Sequence, residues 1–280
     1  MHGKISIILI VISTYFMLFC SLVSAQIQII NRKPVFKDEF NKAANSPIDA
    51  TKWTAEIGGG GWGNEELQYY TNSPENAYHD GRGNLVIRAI KLTPPLNLNC
   101  WYGNCQYTSA RLITKEKFER QYGRFEARIK IPRGQGMWSA FWMLGNNIDM
   151  VGWSTCGEID VMENIGREPF TVHGTIHGPG YSGANAISAP FNLANNQEFA
   201  DDFHIYATEW TENKIAFYVD GKLFKTITSQ DLPAGKDWVY DHPFLMILNL
   251  AVGGNWGGVP NETTVFPQTM LVDYVRVYRR

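Results

Sequence analysis

The chain has 280 residues, a formal net charge of −2 and 13% aromatic residues, among them nine tryptophans. The nearly balanced charge gives no indication of the basic surface that is typical of a nucleic-acid-binding protein. The length suits one β domain with an ample core, and the sequence contains no internal repeat and no linker rich in proline or glycine.

The first 25 residues have the pattern of a secretory signal peptide. Lys4 gives a charged start, an apolar run extends from Ile5 to Val23, and the small residues Ser24 and Ala25 precede polar sequence. This order of features predicts cleavage after Ala25 and a secreted protein. An uncleaved membrane anchor is the alternative. We expect residues 26–280 to form a single domain that is outside the membrane after cleavage and is a monomer.

Further along the chain, alternation of apolar and polar residues predicts β-strands almost everywhere. In "YGRFEARIKIP", Phe125, Ala127, Ile129 and Ile131 alternate with charged residues, and Asp220-Gly221 joins two β-rich runs as a hairpin turn would. Many short strands separated by turn residues are typical of a β-sandwich or barrel. The other strand candidates are "NLVIRAI", "TSARLIT", "MWSAFWML", "FHIYATEW", "FLMILNLAV" and "MLVDYVRVY", whereas only "SQDLPAG" suggests a helical turn.

The cysteines beyond the leader divide into a close pair and a single residue. Cys100 and Cys105 enclose "WYGN", and an exported chain is permitted disulfides. We predict a bond between them that closes a small loop worth about 2 kcal/mol. Cys156 remains, and its expected state is a small buried side chain rather than a reactive thiol.

The stretch "TCGEIDVMENIG" places Glu158, Asp160 and Glu163 in what otherwise reads as a buried strand. In a regular strand the first two share a face and Glu163 points away. A one-residue β-bulge at Val161-Met162 would return Glu163 to that face. Two carboxyl groups on one open face are what glycoside hydrolysis uses. The alternative is a salt-bridged or cation-binding acidic strand.

Two aromatic segments are candidates for sugar binding. Alternation in "MWSAFWML" puts Trp138, Ala140 and Trp142 on one face, and such indoles either stack on sugar rings or belong to the core. Trp256 lies in the glycine-rich "VGGNWGG", where backbone can approach a ligand closely.

The segment "HGTIHGPG" carries two histidines, His173 and His177, on one face of a predicted strand. As a zinc motif the spacing is weak, because the neighbouring glycines disfavour a helix that would align the pair. A structural role is the alternative for both.

Long blocks of the chain resemble glycoside hydrolase family 16. "GEIDVMENIG" is similar to the bulged form of the family signature, and the other blocks follow in the family's order and are most similar to bacterial laminarinases. The resemblance implies an all-β jelly-roll of two antiparallel sheets with a substrate cleft on the concave face. The remaining blocks are "WGNEELQYYTN", "TSARLITKEKFERQYGRFEARIKIPRGQGMWSAFWMLG", "VHGTIHGPGYSG", "FHIYATEW", "LNLAVGGNWGG" and "VDYVRVY".

The resemblance also implies roles for single residues. Glu158 corresponds to the nucleophile and Glu163 to the general acid/base, while Asp160 orients or tunes the pair. His177 is implied beside the site, near the acid/base. The residues implied to bind substrate are Trp138, Trp142, His177, Trp256, Asn64 and Arg111, and Asn64, Glu66 and Arg111 are equally suited to bracing loops.

Members of the family often hold a structural calcium ion on the convex side. The equivalent region here comprises Glu39, the backbone near Gly83, and Asp273. Carboxylate and carbonyl oxygens suit calcium, and a plain contact between the N- and C-terminal strands is the alternative.

Together these features predict a secreted, retaining endo-glycosidase that acts on β-1,3-linked glucan without a catalytic cofactor. Mixed-linkage β-1,3-1,4-glucan is a possible further substrate. An agarase or carrageenase of the same family is the nearest alternative, but a cleft for sulfated chains should show clustered Lys or Arg. A non-catalytic glucan-binding lectin is the third, and such proteins typically lack one or both glutamates.

Overall fold

The computed structural model describes residues 33–93, 96–195 and 197–279, so the predicted signal peptide lies outside the described residues. Strands dominate, as the alternation predicts, and a 3₁₀ turn at Ser229–Asp231 confirms the predicted helical turn. The expectation of no other helical turn is wrong, because short helices also cover Gly61–Gly63, Ile148–Val151, Gly183–Asn185 and Gly254–Gly257. None of the helices in the described residues has the length and apolar character needed to span a bilayer. The strands are β1 (Phe36–Asp38), β2 (Thr54–Ala55), β3 (Gln68–Tyr70), β4 (Ala77–His79), β5 (Leu85–Lys91), β6 (Asn99–Cys100), β7 (Gly103–Asn104), β8 (Tyr107–Ser109), β9 (Arg111–Ile113), β10 (Glu119–Arg120), β11 (Gly123–Lys130), β12 (Met137–Gly145), β13 (Glu158–Ile165), β14 (Thr171–His177), β15 (Ile187–Asn192), β16 (His204–Thr211), β17 (Lys214–Val219), β18 (Lys222–Thr228), β19 (Phe244–Val252) and β20 (Gln268–Tyr278).

Most strands belong to two large sheets. The first has the order β18-β17-β16-β11-β20-β5-β8-β3, with β1 beside β20 and β4 beside β5. The second has the order β15-β14-β13-β12-β19-β9-β2, with β10 beside β19. Strands β6 and β7 form a separate ribbon. The predicted antiparallel sandwich is confirmed, except that β3 and β8 pair in parallel, which their long connection through β4 to β7 permits.

The core lies between the facing surfaces of the two sheets. From β11 it receives Phe125, Ala127 and Ile129, the alternating residues that the sequence predicts to be buried. From β12 it receives Met137, Phe141 and Met143, so the intervening residues of β12 point to the other face of the second sheet. That other face carries the candidate site.

A smaller apolar cluster covers one end of this site-bearing face. Leu245 and Ile247 of β19 pack there with Ile113, Leu144 and Cys156. The Cys156 thiol is free and buried, and burial, followed by the nearby Glu158 carboxyl, raises its pKa to about 11. Cys156 is therefore a packing residue, as predicted.

The predicted disulfide is present between Cys100 and Cys105, whose Cα atoms are 5.0 Å apart. It closes the β6–β7 ribbon. This ribbon packs on the loop that precedes β3, because the Trp101 indole N–H donates to the Glu66 carbonyl (2.8 Å) and the Tyr102 hydroxyl to the Leu67 carbonyl (2.7 Å).

The residues predicted to hold calcium are engaged in other contacts. Both carboxylate oxygens of Glu39 accept hydrogen bonds from Arg276, at 2.9 and 2.7 Å, and Asp273 accepts one from Arg128 at 2.7 Å. Gly83 lies near the side chain of Asn41. Each of these carboxylates therefore has a guanidinium partner, and β1 pairs with β20, so the N- and C-terminal strands are in contact. The calcium ion stays an untested prediction.

Candidate active site

A β-bulge in β13 decides where its carboxylates point. Across β12, Phe141 is opposite Met162 while Trp142 is opposite Asp160, which leaves Val161 without a partner. Across β14 the register also shifts between Asp160 and Glu163. Val161 and Met162 are both buried in the core between the sheets. Two consecutive side chains therefore point inward, and the parity of the strand changes between them.

The bulge brings all three acidic residues to the same face. On β13, Glu158 is opposite Leu144, Asp160 is opposite Trp142 and Glu163 is opposite Ala140. Directly opposed residues of antiparallel strands share a face, and the β12 residues are two positions apart, so they share one face as well. The predicted bulge and its consequence for Glu163 are thus observed.

The three carboxyl groups differ in access to solvent. Glu158 and Glu163 are partly exposed, whereas Asp160 is only 2% exposed. A ligand on this face can therefore reach the two glutamates, while Asp160 acts from beneath them.

His177 of β14 contacts two of the carboxylates. Its Nε2 atom lies 3.1 Å from Asp160 Oδ2 and 3.6 Å from Glu158 Oε1. Its Nδ1 atom accepts a hydrogen bond from the backbone N–H of Gly183 at 3.1 Å. Because Nδ1 accepts, the ring proton is on Nε2, the nitrogen nearest the carboxylates, but Asp160 Oδ2 has no hydrogen-bond partner among the described residues.

The tautomer of His177 also bears on metal binding. Ligand atoms of Glu158, Asp160 and His177 lie within 4.8 Å of one another, close enough in principle to share an ion. A metal ligand needs the lone pair of Nε2, but Gly183 fixes the proton there. The arrangement therefore fits a histidine in close contact with two carboxylates better than it fits a metal centre.

Trp153 is a site residue that the sequence reasoning missed. Its indole N–H donates a hydrogen bond to Glu158 Oε2 at 2.8 Å, and its ring lies 5.8 Å from the His177 ring. The indole itself is 53% exposed. The only signal in the sequence was its place five residues before Glu158, in a segment without strand alternation.

Trp138 contacts the other glutamate. Its indole N–H donates to Glu163 Oε1 at 3.0 Å. The ring of Trp256 meets it edge to face at 5.3 Å, and His173 contacts Trp256 in turn at 5.2 Å. The His173 side chain also contacts Glu168, whose Oε2 atom lies 2.9 Å from His173 Nε2. Trp256 and His173 thus surround the Glu163 end of the site.

Trp142 lies beyond Asp160, next to a stacked arginine. The guanidinium of Arg111 is 4.8 Å from the Trp142 ring centroid and 4.7 Å from that of Trp62. Its Nε atom donates to Glu56. Arg111 is therefore held between two indoles and neutralised by a carboxylate, so it serves to brace the aromatic wall. Trp62 is a second residue that the sequence reasoning missed.

Burial shifts the acidity of all three carboxyl groups. It raises the pKa of Glu158 to about 8, with a further increase from the charge of Asp160, while His177 and the Trp153 N–H favour the ionised form. Burial raises the pKa of Asp160 to about 7, and a hydrogen bond with Glu158 opposes this. For Glu163, burial and then the charge of Asp160 raise the pKa well above its usual range.

These shifts indicate that the site holds protons near neutral pH. Two groups favour the ionised form of each glutamate, namely His177 and the Trp153 N–H for Glu158, and His177 and the Trp138 N–H for Glu163. For Glu163, the charges of Asp160 and then of Glu158 add to burial in raising the pKa, so an ionised Glu158 favours a protonated Glu163. One glutamate poised to ionise and one poised to stay protonated is the division that glycoside hydrolysis requires.

The sequence matches the profile "Glycosyl hydrolases family 16" over residues 64–276. The chain belongs to glycoside hydrolase family 16. Among curated relatives, it is 40% identical to a beta-glucanase of Rhodothermus marinus over 252 residues, covering 88% of this chain and 84% of that protein. It is 41% identical to glucan endo-1,3-beta-glucosidase A1 of Niallia circulans, covering 88% of this chain but only 37% of that longer protein.

A solved family 16 structure has the same architecture. The laminarinase catalytic domain of Thermotoga maritima MSB8 superposes with a TM-score of 0.82 at 48% identity, covering 89% of this chain and 98% of that one. The all-β jelly-roll expected from the sequence is therefore the fold of this family member.

Most of the residues expected in a family 16 cleft lie near one another. Trp138 contacts Glu163, His177 contacts Glu158 and Asp160, and Trp256 packs on Trp138. Asn64 reaches this face only from the loop before β3, where its side chain donates to Glu66 at 3.3 Å. Glu66 itself is only 5% exposed.

Proposed function

We propose that this family 16 chain is a retaining endo-β-1,3-glucanase. The observation that carries the proposal is the bulge at Val161, which puts Glu158 and Glu163 on one partly exposed face. Retention requires the two carboxyl groups to be about 5 to 5.5 Å apart. Glu158 and Glu163 are opposite Leu144 and Ala140 of the same strand, so they share a face on which their side chains can approach each other.

In the proposed reaction, ionised Glu158 attacks the anomeric carbon while protonated Glu163 transfers its proton to the departing glycosidic oxygen. A covalent glycosyl-enzyme ester on Glu158 results. Glu163, now ionised, removes a proton from water, the resulting hydroxide attacks the same carbon, and Glu158 leaves as a carboxylate. Asp160 and His177 hold Glu158 in position, and carboxyl groups and water suffice for the chemistry.

The proposed substrate class rests on the cleft and on the relatives. Trp138, Trp142 and Trp256 offer apolar surfaces of the kind that stack on sugar rings. Arg111, the cation at this wall, is neutralised by Glu56, which disfavours a sulfated chain. The beta-glucanase and laminarinase relatives support a β-1,3-glucan, with mixed-linkage glucan as a second substrate.

A substrate panel tests this proposal. Laminarin, lichenan, agarose and carrageenan are incubated with the enzyme and with Glu158→Gln as an inactive control, and new reducing ends are measured. We expect the highest rate on laminarin. Degradation of agarose or carrageenan with laminarin left intact would overturn the substrate assignment. In parallel, NMR of the first product should show the β-anomer, and the α-anomer first would exclude retention.

We further propose that the protein is secreted after cleavage behind Ala25 and acts as a monomer. The sequence pattern of residues 1–25 supports export. N-terminal sequencing of the protein from culture medium should begin at Gln26, and analytical ultracentrifugation should give the mass of a single chain. Retention of residues 1–25 in a membrane fraction would contradict this.

A further inference from the structure

Glu66 is a buried carboxylate that the proposed reaction does not use. It is 5% exposed, and three side chains donate to it. Asn64 Nδ2 reaches Oε1 at 3.3 Å, while Gln68 Nε2 and the Tyr70 hydroxyl reach Oε2 at 2.6 and 3.2 Å. Burying a carboxylate is costly even when it accepts hydrogen bonds. The presence of a buried carboxylate at this position therefore needs an explanation.

A chain of hydrogen bonds connects Glu66 to the aromatic wall of the cleft. The Trp142 indole N–H donates to Asn249 Oδ1 at 2.7 Å, and Asn249 Nδ2 donates to the Tyr70 hydroxyl at 3.1 Å. Tyr70 then donates to Glu66. Indole can only donate, so Asn249 Oδ1 faces Trp142 and Asn249 Nδ2 faces the Tyr70 hydroxyl, whose own proton is left to donate to Glu66.

The loop around Glu66 is anchored without its carboxylate. Its carbonyl accepts from Trp101, the Leu67 carbonyl accepts from Tyr102, and its backbone pairs with Gly253. The carboxylate bonds are additional to these backbone contacts, and they lead to Asn64 and Trp142, two residues of the cleft.

We propose that Glu66 is a positioning residue, which sets the orientation of Asn64 directly and of Trp142 through Tyr70 and Asn249 for binding of the glucan. This inference rests on the proposed function for its kinetic consequence. Burial raises the pKa of Glu66, and the three donors and Arg111 oppose this effect only in part. A fixed acceptor at this place orients amide and indole groups that otherwise rotate.

Tyr70→Phe tests the proposal with little change in shape, since it removes only the bridging hydroxyl of a fully buried ring. Tyr206→Phe is the matched control, because the Tyr206 ring is equally buried and its hydroxyl has no hydrogen-bond partner among the described residues. For laminari-oligosaccharides we expect Tyr70→Phe to raise KM about fivefold, the value of one lost hydrogen bond, with kcat within about twofold. Tyr206→Phe should change neither constant.

A second readout is independent of activity. In protein labelled with ¹⁵N-tryptophan, the Trp142 indole resonance is assigned by its loss in Trp142→Phe. Tyr70→Phe and Glu66→Gln should each shift this resonance, and Tyr206→Phe should leave it in place. Glu66→Gln tests the same chain if Tyr70→Phe does not fold. It should raise KM because the single amide oxygen of glutamine cannot accept hydrogen bonds from both Asn64 and Tyr70.

The outcomes separate this inference from the proposed function. An unshifted Trp142 resonance, or a fall in kcat at constant KM, overturns the positioning role. A wild-type enzyme that is inactive on β-1,3-glucan overturns the proposed function. The Trp142 resonance then still tests whether the hydrogen-bond chain positions Trp142.

Discussion

The indole N–H of Trp153 donates a hydrogen bond to Oε2 of Glu158 across 2.8 Å. This bond stabilises the ionised form of the proposed nucleophile, and with His177 it opposes the effect of burial on the Glu158 pKa. A loop residue thus influences the protonation of a strand residue at the centre of the site.

Trp153→Phe should lower kcat/KM about tenfold, since a hydrogen bond to a charged group is worth roughly 1.5–3 kcal/mol. It should also move the acidic limb of the pH–rate profile to higher pH, because the Glu158 pKa rises further. Trp238→Phe is the control, as the buried Trp238 N–H has no hydrogen-bond partner among the described residues. An unchanged acidic limb in Trp153→Phe would contradict the assigned effect on Glu158.

The two glutamates should respond differently to chemical rescue. Both Glu158→Ala and Glu163→Ala should lose several orders of magnitude in rate on laminarin, since each removes a group at the reacting centre. With an aryl glycoside of good leaving group, Glu163→Ala should still form the glycosyl-enzyme, and azide should then yield a β-glycosyl azide. Glu158→Ala should form no covalent intermediate; mass spectrometry that found one on this variant would reverse the roles.

Deletion of Val161 should remove the bulge and abolish activity. Without the extra residue, the face of Glu163 relative to Glu158 reverses, and one of these side chains is directed at the core. The deletion should lower the midpoint of thermal unfolding, and adding Glu163→Ala to it should restore part of the loss if Glu163 is the side chain that turns inward. Residual hydrolysis by the deletion variant would show that the bulge does not align the pair.

The raised pKa values of the carboxyl groups predict how stability depends on pH. The Glu158 pKa rises from its ordinary value of 4.5 to about 8 in the folded state. Its contribution to stability is therefore fully present below about pH 4 and is lost as the pH rises to about 8. Glu158→Gln removes this loss, so its melting temperature should gain on the wild type between pH 4 and pH 9. A constant difference across that range would contradict the shift.

Thiol titration of the protein without residues 1–25 should find one free thiol, and only after unfolding. Cys100 and Cys105 are bonded to each other, while Cys156 is fully buried with a pKa of about 11. Both burial and the small thiolate fraction slow its reaction at pH 8. Rapid labelling of native protein at Cys156, measured by mass spectrometry, would refute this.

The sequence by itself determined the features that depend on local periodicity. Alternation predicted the buried face of β11 and grouped Trp138, Ala140 and Trp142 of β12 on one face, because successive side chains of any strand point to opposite faces. The odd spacing between Asp160 and Glu163 predicted the bulge for the same reason. The short separation of Cys100 and Cys105 sufficed to predict their bond.

Only the tertiary structure decided the contacts made between distant segments. Trp153 reaches Glu158 from a loop without periodicity, and the chain from Glu66 to Trp142 joins β3 to β19. Glu39 pairs with Arg276 and Asp273 with Arg128, which are contacts that the sequence did not predict. Such partners are set by how the sheets align and by the need to satisfy buried polar groups, which no local pattern encodes.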